Sequence, residues 1–535
     1  MQRDDVAVLV VGGGPIGLSM GLLLGRFGVP AVLVERNATT TDHPKARGCF
    51  ARTMEMFRVW GVEKPIRDRG LPDGADHWAI GHTLADLRET RPEPNPGQTP
   101  AWKSIVAQDA VEEELFSAVR NHPSTEMRFG TQCTDFEQDA DGVTAQLVDL
   151  STGVKSEMRC QYLVACDGAG SRMRKVAGIE MTGIPNIGYM ANDYFRVDLS
   201  DFAVARKAGA MLLAPLDAGD TWLSFLNTDG RDRWLVIRKI GAEKDDRERV
   251  PSDEEAIADL KRRLGVDRKV EVINRTTWRS AREVAERYRE GRVFLAGDAA
   301  HRFLPTGGQG MNTGIADAHN LAWKLAYALS GAMESRVLDT YDIERRPVGN
   351  NAADFQLRTG KRLAAVQERI NLADADSVDF WSHELEKHVK SAGQTLGQWY
   401  PEGLVMADET TPPASDPERY TPVDRPGHRF PHVWLDGGRT KSTIDWFDTA
   451  LVLVTGAAAD AWRAAGAQVA TEILASFAVK TIEAPDREHG IMIGKRGAVL
   501  VRPDGYVAWR CAWQSNTALG DLREVLKTLG VRFRC

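Results

Sequence analysis

The chain has 535 residues, 43% of them hydrophobic and 27% charged, with a net charge of −7 and a pI near 6.0. That length predicts two or three domains, the composition is that of an ordinary globular protein, and the acidic balance offers no basic footprint for nucleic acid. The six cysteines, Cys49, Cys133, Cys160, Cys166, Cys511 and Cys535, form no C-x-x-C pair and no His/Cys cluster. This argues against a disulfide framework or a metal site and fits a reducing, cytoplasmic setting.

Taken in chain order, the first element is "VAVLVV", Val6 to Val11, an apolar run rich in β-branched residues that predicts a strand buried on both faces. Gly12, Gly14 and Gly17 follow in G-x-G-x-x-G spacing, with Pro15 among them, then a helical run from Leu18 to Phe27 and a second strand, "AVLVE", ending in Glu35 and followed by Arg36. Gly12 suits a tight turn, Gly14 a close approach of pyrophosphate to the backbone, and Gly17 close packing of helix on strand, while Glu35 can accept from a ribose hydroxyl. Strand, loop, helix, strand and acid in order predict a dinucleotide site. Val6 to Gly25 carries no charge and is long enough to cross a bilayer on length alone. Its six glycines and one proline suit a turn better, and Asp4 and Asp5 after Arg3 do not suit a signal peptide, so no membrane association is expected.

Farther on, "GYMANDYFRVDL", "AGAMLLAPL", "TWLSFLN" and "DRWLVIRKI" alternate as antiparallel strands with one buried face do. A second glycine loop then appears in "GRVFLAGDAAHRFLPTGGQGMNTGIADAHNLAWKLA", starting at Gly291: a strand, the acidic turn Gly297-Asp298, Gly307, Gly308 and Gly310, and a helix opening near Asn312. A simple nicotinamide enzyme has no use for it. FAD does, because its adenosine end can rest on the first loop while its flavin ring lies on the second. Asp298 is placed to bond the ribityl chain, and amides at the helix start carry partial positive charge for the flavin N1–C2=O edge. One cofactor held at its two ends explains two glycine loops.

The second loop resembles the second FAD fingerprint of the single-component flavoprotein aromatic hydroxylases, the group of p-hydroxybenzoate hydroxylase and phenol hydroxylase. Three further segments fit: "YLVACDGAGSRMRKVAG", with Asp167, Gly168, Ser171 and Arg174, resembles the family's DG motif; "ARTMEMFRVWGV" resembles the segment after the ribose acid; and "AQDAVEEELFSAV" supplies Gln108 where the family has a flavin-contacting glutamine. The resemblance also implies cofactor roles for Pro305, Gly308, Gly310, Met311 and Asn312. One departure stands out. Many members read Pro-Arg-Ala-Gly where this chain has Pro44-Lys45-Ala46-Arg47-Gly48, so the work of the family arginine on FAD falls to Lys45 or to Arg47, and a lysine lacks the bidentate fork.

The resemblance implies an α/β fold: a Rossmann-like FAD-binding domain, an inserted antiparallel sheet that roofs the substrate, and a thioredoxin-like tail. The expected divisions are 1–180 (with 76–105 contributing to the roof), 181–285 for the roof, 286–395 for the rest of the FAD domain and long helices reaching about Val389, and 396–535 for the tail. The last opens on the proline-rich stretch "SDPERYTPVDRPGHRFPH" and contains a hairpin turning at Pro503-Asp504-Gly505. Without C-x-x-C the tail is expected to be structural or a homodimer contact. The resemblance further implies hydride transfer from NADPH or NADH to FAD, reaction with O2 to a C4a-hydroperoxide, and hydroxylation of a small phenolic aromatic: a simple phenol, a biphenyl-type phenol or a polycyclic polyketide. Tyr189, Trp222 and Pro305 are the candidate substrate contacts. No catalytic acid or base is assigned, His301 being read as a cofactor-loop residue. A Baeyer–Villiger oxygenase on the same frame and a non-catalytic flavin-binding sensor or scaffold stay open as alternatives.

Overall fold

The computed structural model describes residues 3–241, 251–483 and 489–534. Cys535 lies outside the described residues; Cys49, Cys133, Cys160, Cys166 and Cys511 are free thiols. The first strand, Arg3–Val11, is central to a parallel sheet, with Ala31–Glu35 on one side and Lys155–Ala165 on the other. Thr125–Phe129 extends it beyond Ala31–Glu35 and Val293–Leu295 beyond Lys155–Ala165, both parallel. Val8, Leu9 and Val10 are fully buried, as a continuous apolar run between two layers must be. The helix Pro15–Arg26 packs on this sheet and against the helix Gln309–Leu329. It is a mixed α/β fold with a Rossmann-like core.

A second, mostly antiparallel sheet carries Glu271–Ala285, Met181–Arg196, Arg233–Gly241, Leu223–Asn227 and Ala210–Leu213 in that spatial order. Four of these strands are the predicted alternating runs. The fifth, Glu271–Ala285, escaped the pattern because three arginines, Arg275, Arg279 and Arg282, interrupt it. Trp78–Gly81 joins this sheet parallel to Ala210–Leu213.

Two helices stand where one continuous run to Val389 was expected: Thr340–Arg369 and Ala375–Val389. Near the C-terminus, Phe477–Ile482, Leu451–Gly456, Ala498–Val501 and Val507–Cys511 form a sheet in that order, the first pair parallel and the rest antiparallel, with helices Asp460–Glu472 and Ala518–Thr528. This is thioredoxin-like topology. Gly505, at φ 78°, makes the expected hairpin turn. Among the described residues, no helix is long and apolar enough to cross a membrane.

Candidate functional site

Both glycine loops open on one cleft of about 1550 Å³ between the parallel sheet and the second sheet. A pocket for one small ligand spans roughly 300–1,000 Å³, so this one has room for a dinucleotide and an aromatic molecule together. Gly12, Gly14, Pro15, Glu35 and Arg36 line one end, and Pro305, Gly308, Gly310, Met311 and Asp298 the other, with Lys45, Arg47, Gln108 and Asp167 between them.

The first loop is shaped by backbone demands. Gly12 adopts φ 112°, and a Cβ there would sit 2.3 Å from the Cys166 carbonyl oxygen; a Cβ on Gly17 would sit 1.8 Å from the Gly12 carbonyl oxygen. Gly17 does not line the cleft and works by helix–strand packing. Gly14 is different: a Cβ there would meet only Glu112 Oε1, at 4.0 Å, so its neighbourhood is the cleft itself. The Glu35 carboxylate accepts from the Gly13 amide at 2.7 Å and from the Asn37 amide at 2.8 Å, which fixes it at the tip of its strand facing the cleft.

At the other end, Gly308 caps the helix Gln309–Leu329 in the left-handed region at φ 63°. The first turn of that helix therefore turns unbonded amides towards the cleft. Asp298 is exposed to the cleft and accepts no hydrogen bond among the described residues. It lies deep enough within the protein that burial raises its carboxyl above the usual range. A carboxylate facing a cavity with no protein donor fits a hydroxylated ligand chain. Asp167 instead spends its oxygens on its own loop, accepting from the Ser171 hydroxyl at 2.5 Å and the Met173 amide at 3.1 Å. Gln108 donates to Glu112 Oε1 at 2.8 Å. Burial raises the Glu112 carboxyl, opposed in part by Lys45. Asn312 stands off the cleft wall; it binds Phe50, Thr53, Gly48 and Gly308 and so fixes the loop.

The candidate substrate contacts divide. Trp222 lines the cleft, its indole N–H donating to the Gln367 carbonyl at 3.1 Å, and Pro305 lines it as well. Tyr189 is not on the cleft wall; Met190 and Asn192 are. Strand alternation decides this, with a register shift between Tyr189 and Met190 that the sequence does not reveal. Trp78 and Trp278, both missed from sequence, complete a tryptophan-walled roof. Trp278 Nε1 donates to Asn192 Oδ1 at 2.8 Å. His301 is buried against Phe303 and bonded to Asp317 at 2.8 Å, away from the cleft. Burial works against the Asp317 charge, and Arg345 and His301 overcome it, holding its carboxyl below the usual range.

Residues 5–356 match the family described as "FAD binding domain", and residues 423–530 match "Aromatic-ring hydroxylase, C-terminal". The chain belongs to the FAD-dependent aromatic-ring hydroxylases. Within this family, tetracenomycin A2 monooxygenase-dioxygenase of Streptomyces glaucescens is 34% identical over 99% of this chain and 98% of its own length. Aklavinone 12-hydroxylase RdmE of Streptomyces purpurascens is 33% identical over 98% of this chain and all of its own length. Among solved structures, the flavin-dependent monooxygenase PieE in complex with FAD and substrate superimposes with a TM-score of 0.88 at 31% identity, covering 98% of this chain and 99% of PieE. A ternary complex of aklavinone-11 hydroxylase with FAD and aklavinone gives 0.84 at 31% identity, over 99% of this chain and all of that one. The protein is accordingly an FAD-dependent monooxygenase, a class that consumes O2 and a reduced nicotinamide. The family's cofactor fits the residues present: an open approach at Gly14, a donor-free carboxylate at Asp298 and a helix N-terminus behind Gly308 all face one continuous cleft.

Proposed function

We propose that this protein hydroxylates a polycyclic phenolic aromatic, using NADH or NADPH and O2. The observation that carries the reading is the single cleft, floored by two glycine loops and roofed by Trp78, Trp222 and Trp278. Flat indole faces suit a flat, fused-ring ligand, and the size of the cleft leaves space for one beside a dinucleotide. The relatives named for tetracenomycin and aklavinone favour the same substrate class.

In this reading FAD, when bound, would supply the redox chemistry, taking up hydride from the nicotinamide and allowing one atom of O2 to enter the ring while the other leaves as water. The chain's residues bind, orient and exclude water. Glu35 would accept from the ribose hydroxyls, and Gly12, Gly14 and Pro15 would let the pyrophosphate reach the amides that open the helix Pro15–Arg26. Arg36, Lys45, Gln108 and Asp167 would flank the cofactor between its ends. Asp298 would accept from the ribityl chain. Gly308, Gly310 and Met311, with the first amides of their helix, would face the ring edge where negative charge gathers on reduction. Pro305 and Trp222 would touch the substrate.

Purified protein reconstituted with FAD, offered polycyclic phenols and simple phenols with each nicotinamide, tests this. Stimulated nicotinamide oxidation with a product one oxygen atom heavier on the ring supports the reading. A lactone product would replace it with Baeyer–Villiger chemistry, and bound FAD with no stimulation by any phenol would favour a sensor or scaffold.

A further inference from the structure

Arg47 is a cation without an anion. It lines the cleft, and its Nη1 donates to the Asn227 carbonyl at 2.7 Å, at the end of the roof strand Leu223–Asn227. No carboxylate lies within ion-pair distance of it among the described residues. Its surroundings on the roof side are backbone: the same Nη1 lies 3.6 Å from where a Cβ on Gly209 would stand, beside the Ala75 carbonyl. Several of the other charged groups facing the cleft are already committed. Lys103 Nζ pairs with Asp76 at 2.5 Å and Glu93 at 2.7 Å, His77 Nε2 with Glu89 at 2.9 Å, and Glu112 accepts from Gln108. Lys45, two residues before Arg47, exerts its charge on Glu112 and Asp298, the acids beside the cofactor strip. Arg47 reaches instead to the roof.

We propose that Arg47 binds the ionised phenolic oxygen of the substrate, while Lys45 serves FAD; this rests on the hydroxylase reading above. A guanidinium presents five N–H donors, and here only one nitrogen is engaged by the protein. A charge away from bulk water without a partner is costly, and an anionic oxygen entering the cleft meets that need. The chemistry requires the same partner. Electrophilic oxygen attacks an electron-rich ring, and a free phenol holds its proton to a pKa near 10. Beside a fixed cation in a cleft of low dielectric the anion is favoured, the proton passing to solvent as the O−···guanidinium contact forms. Burial works against the Arg47 charge, and an anionic oxygen in the cleft relieves that cost.

The test uses the FAD-loaded protein and the dye 1,2-dihydroxyanthraquinone, whose visible colour reports ionisation. We expect the bound dye to ionise at a pH about one unit or more lower than in solution. Arg47→Met should abolish that shift and Arg47→Lys restore part of it, with FAD content unchanged in both. Turnover of the dye should fall about 10–100-fold in kcat/KM for Arg47→Met, a loss on the scale of a removed charge-assisted hydrogen bond. Lys45→Met should lose FAD on desalting and leave the shift intact once FAD is resupplied. Three outcomes would overturn the proposal: an Arg47→Met protein that loses FAD, a dye that ionises alike in wild type and variant, and a wild type that does not bind the dye. Failure of the hydroxylase reading looks different. There the wild type shifts the dye's ionisation and yields no oxygenated product from any phenol.

Discussion

The side-chain oxygen of Asn312 accepts the Phe50 amide at 2.9 Å, across 262 residues of chain. The same oxygen accepts from Thr53 Oγ1 at 2.6 Å, and the amide nitrogen donates to the Gly48 and Gly308 carbonyls at 3.1 and 2.8 Å. Three of these bonds lock the second glycine loop to the segment that carries Lys45 and Arg47, and the fourth, to Gly308, holds the loop itself. Asn312→Ala leaves the Phe50 amide and two carbonyls without partners, at a cost of about 1–3 kcal/mol for such a loss. The expected outcome is a lower melting temperature and FAD released more readily on gel filtration, with weaker binding by about tenfold. An unchanged melting point and full flavin retention would contradict the role.

Arg502 ties the C-terminal sheet to the helices behind the cleft. Its guanidinium pairs with Glu344 at 2.7 Å and Asp504 at 2.5 Å, and Glu344 also holds Lys324 at 2.8 Å. All four side chains are buried. Breaking a buried ionic set by removing one member costs about 3–5 kcal/mol. Arg502→Met should lower the free energy of unfolding, read from urea titration, by that much. Because Asn320 and Lys324 sit on the helix Gln309–Leu329, it should also weaken FAD retention. Loss of stability alone would confine the role of the C-terminal sheet to folding.

The two tested aromatics should separate cleanly. Trp222→Ala removes a cleft-lining indole and should raise KM for a polycyclic phenol about tenfold, corresponding to about 1.4 kcal/mol of lost contact. Tyr189→Ala removes a ring off the cleft wall and should leave KM unchanged. Steady-state kinetics on the two variants decides the matter, and the reverse pattern would displace the roof geometry described above.

Much of the cofactor end was legible because backbone conformation leaves few choices. Gly12 at φ 112° and Gly17 against the Gly12 carbonyl tolerate no other residue, so their spacing is a direct trace of the fold. The wall opposite was far less legible. Which of Tyr189 and Met190 faces the cleft depends on one register shift, and Trp278 sits in a strand whose alternation three arginines obscure. The clamp from Asn312 to Phe50 and the web from Arg502 to Glu344 join residues 262 and 158 positions apart. Such long-range bonds leave no local pattern in a chain. Lys45 and Arg47 were ambiguous for the same reason, since only the fold shows which neighbours each charge meets.

Gly14 and Gly17 give a paired test of the first loop. At Gly17 an added methyl would lie 1.8 Å from a carbonyl oxygen, so Gly17→Ala forces helix and strand apart and should lower the melting temperature with or without FAD. At Gly14 the backbone has φ −74°, open to any residue, and the methyl would enter the cleft. Gly14→Ala should therefore melt like wild type in the absence of FAD and bind FAD at least tenfold more weakly, on the scale of about 1.4 kcal/mol. Equal FAD affinity in Gly14→Ala and wild type would remove the pyrophosphate from this position.

Acid stability follows from buried histidines. Burial pushes His319 down to about 3, and His428 and His432 to about 4. In the unfolded chain each takes up a proton near pH 6.5. Between that value and the folded pKa the unfolded state binds more protons, so stability is complete above about pH 6.5 and falls as the pH drops. Each histidine adds on the order of 1.4 kcal/mol per pH unit to that slope. Glu344 acts in the same direction lower down: burial opposes its charge, but Arg502 and Lys324 bring its carboxyl to about 2, so its contribution is lost as pH falls below the ordinary glutamate range. The melting temperature should therefore drop steeply from pH 6.5 to 4.5. His319→Gln, which removes a titrating group packed edge-on against Trp60, should lower it at neutral pH while flattening that slope. A slope identical to wild type would mean that His319 is protonated in the folded protein.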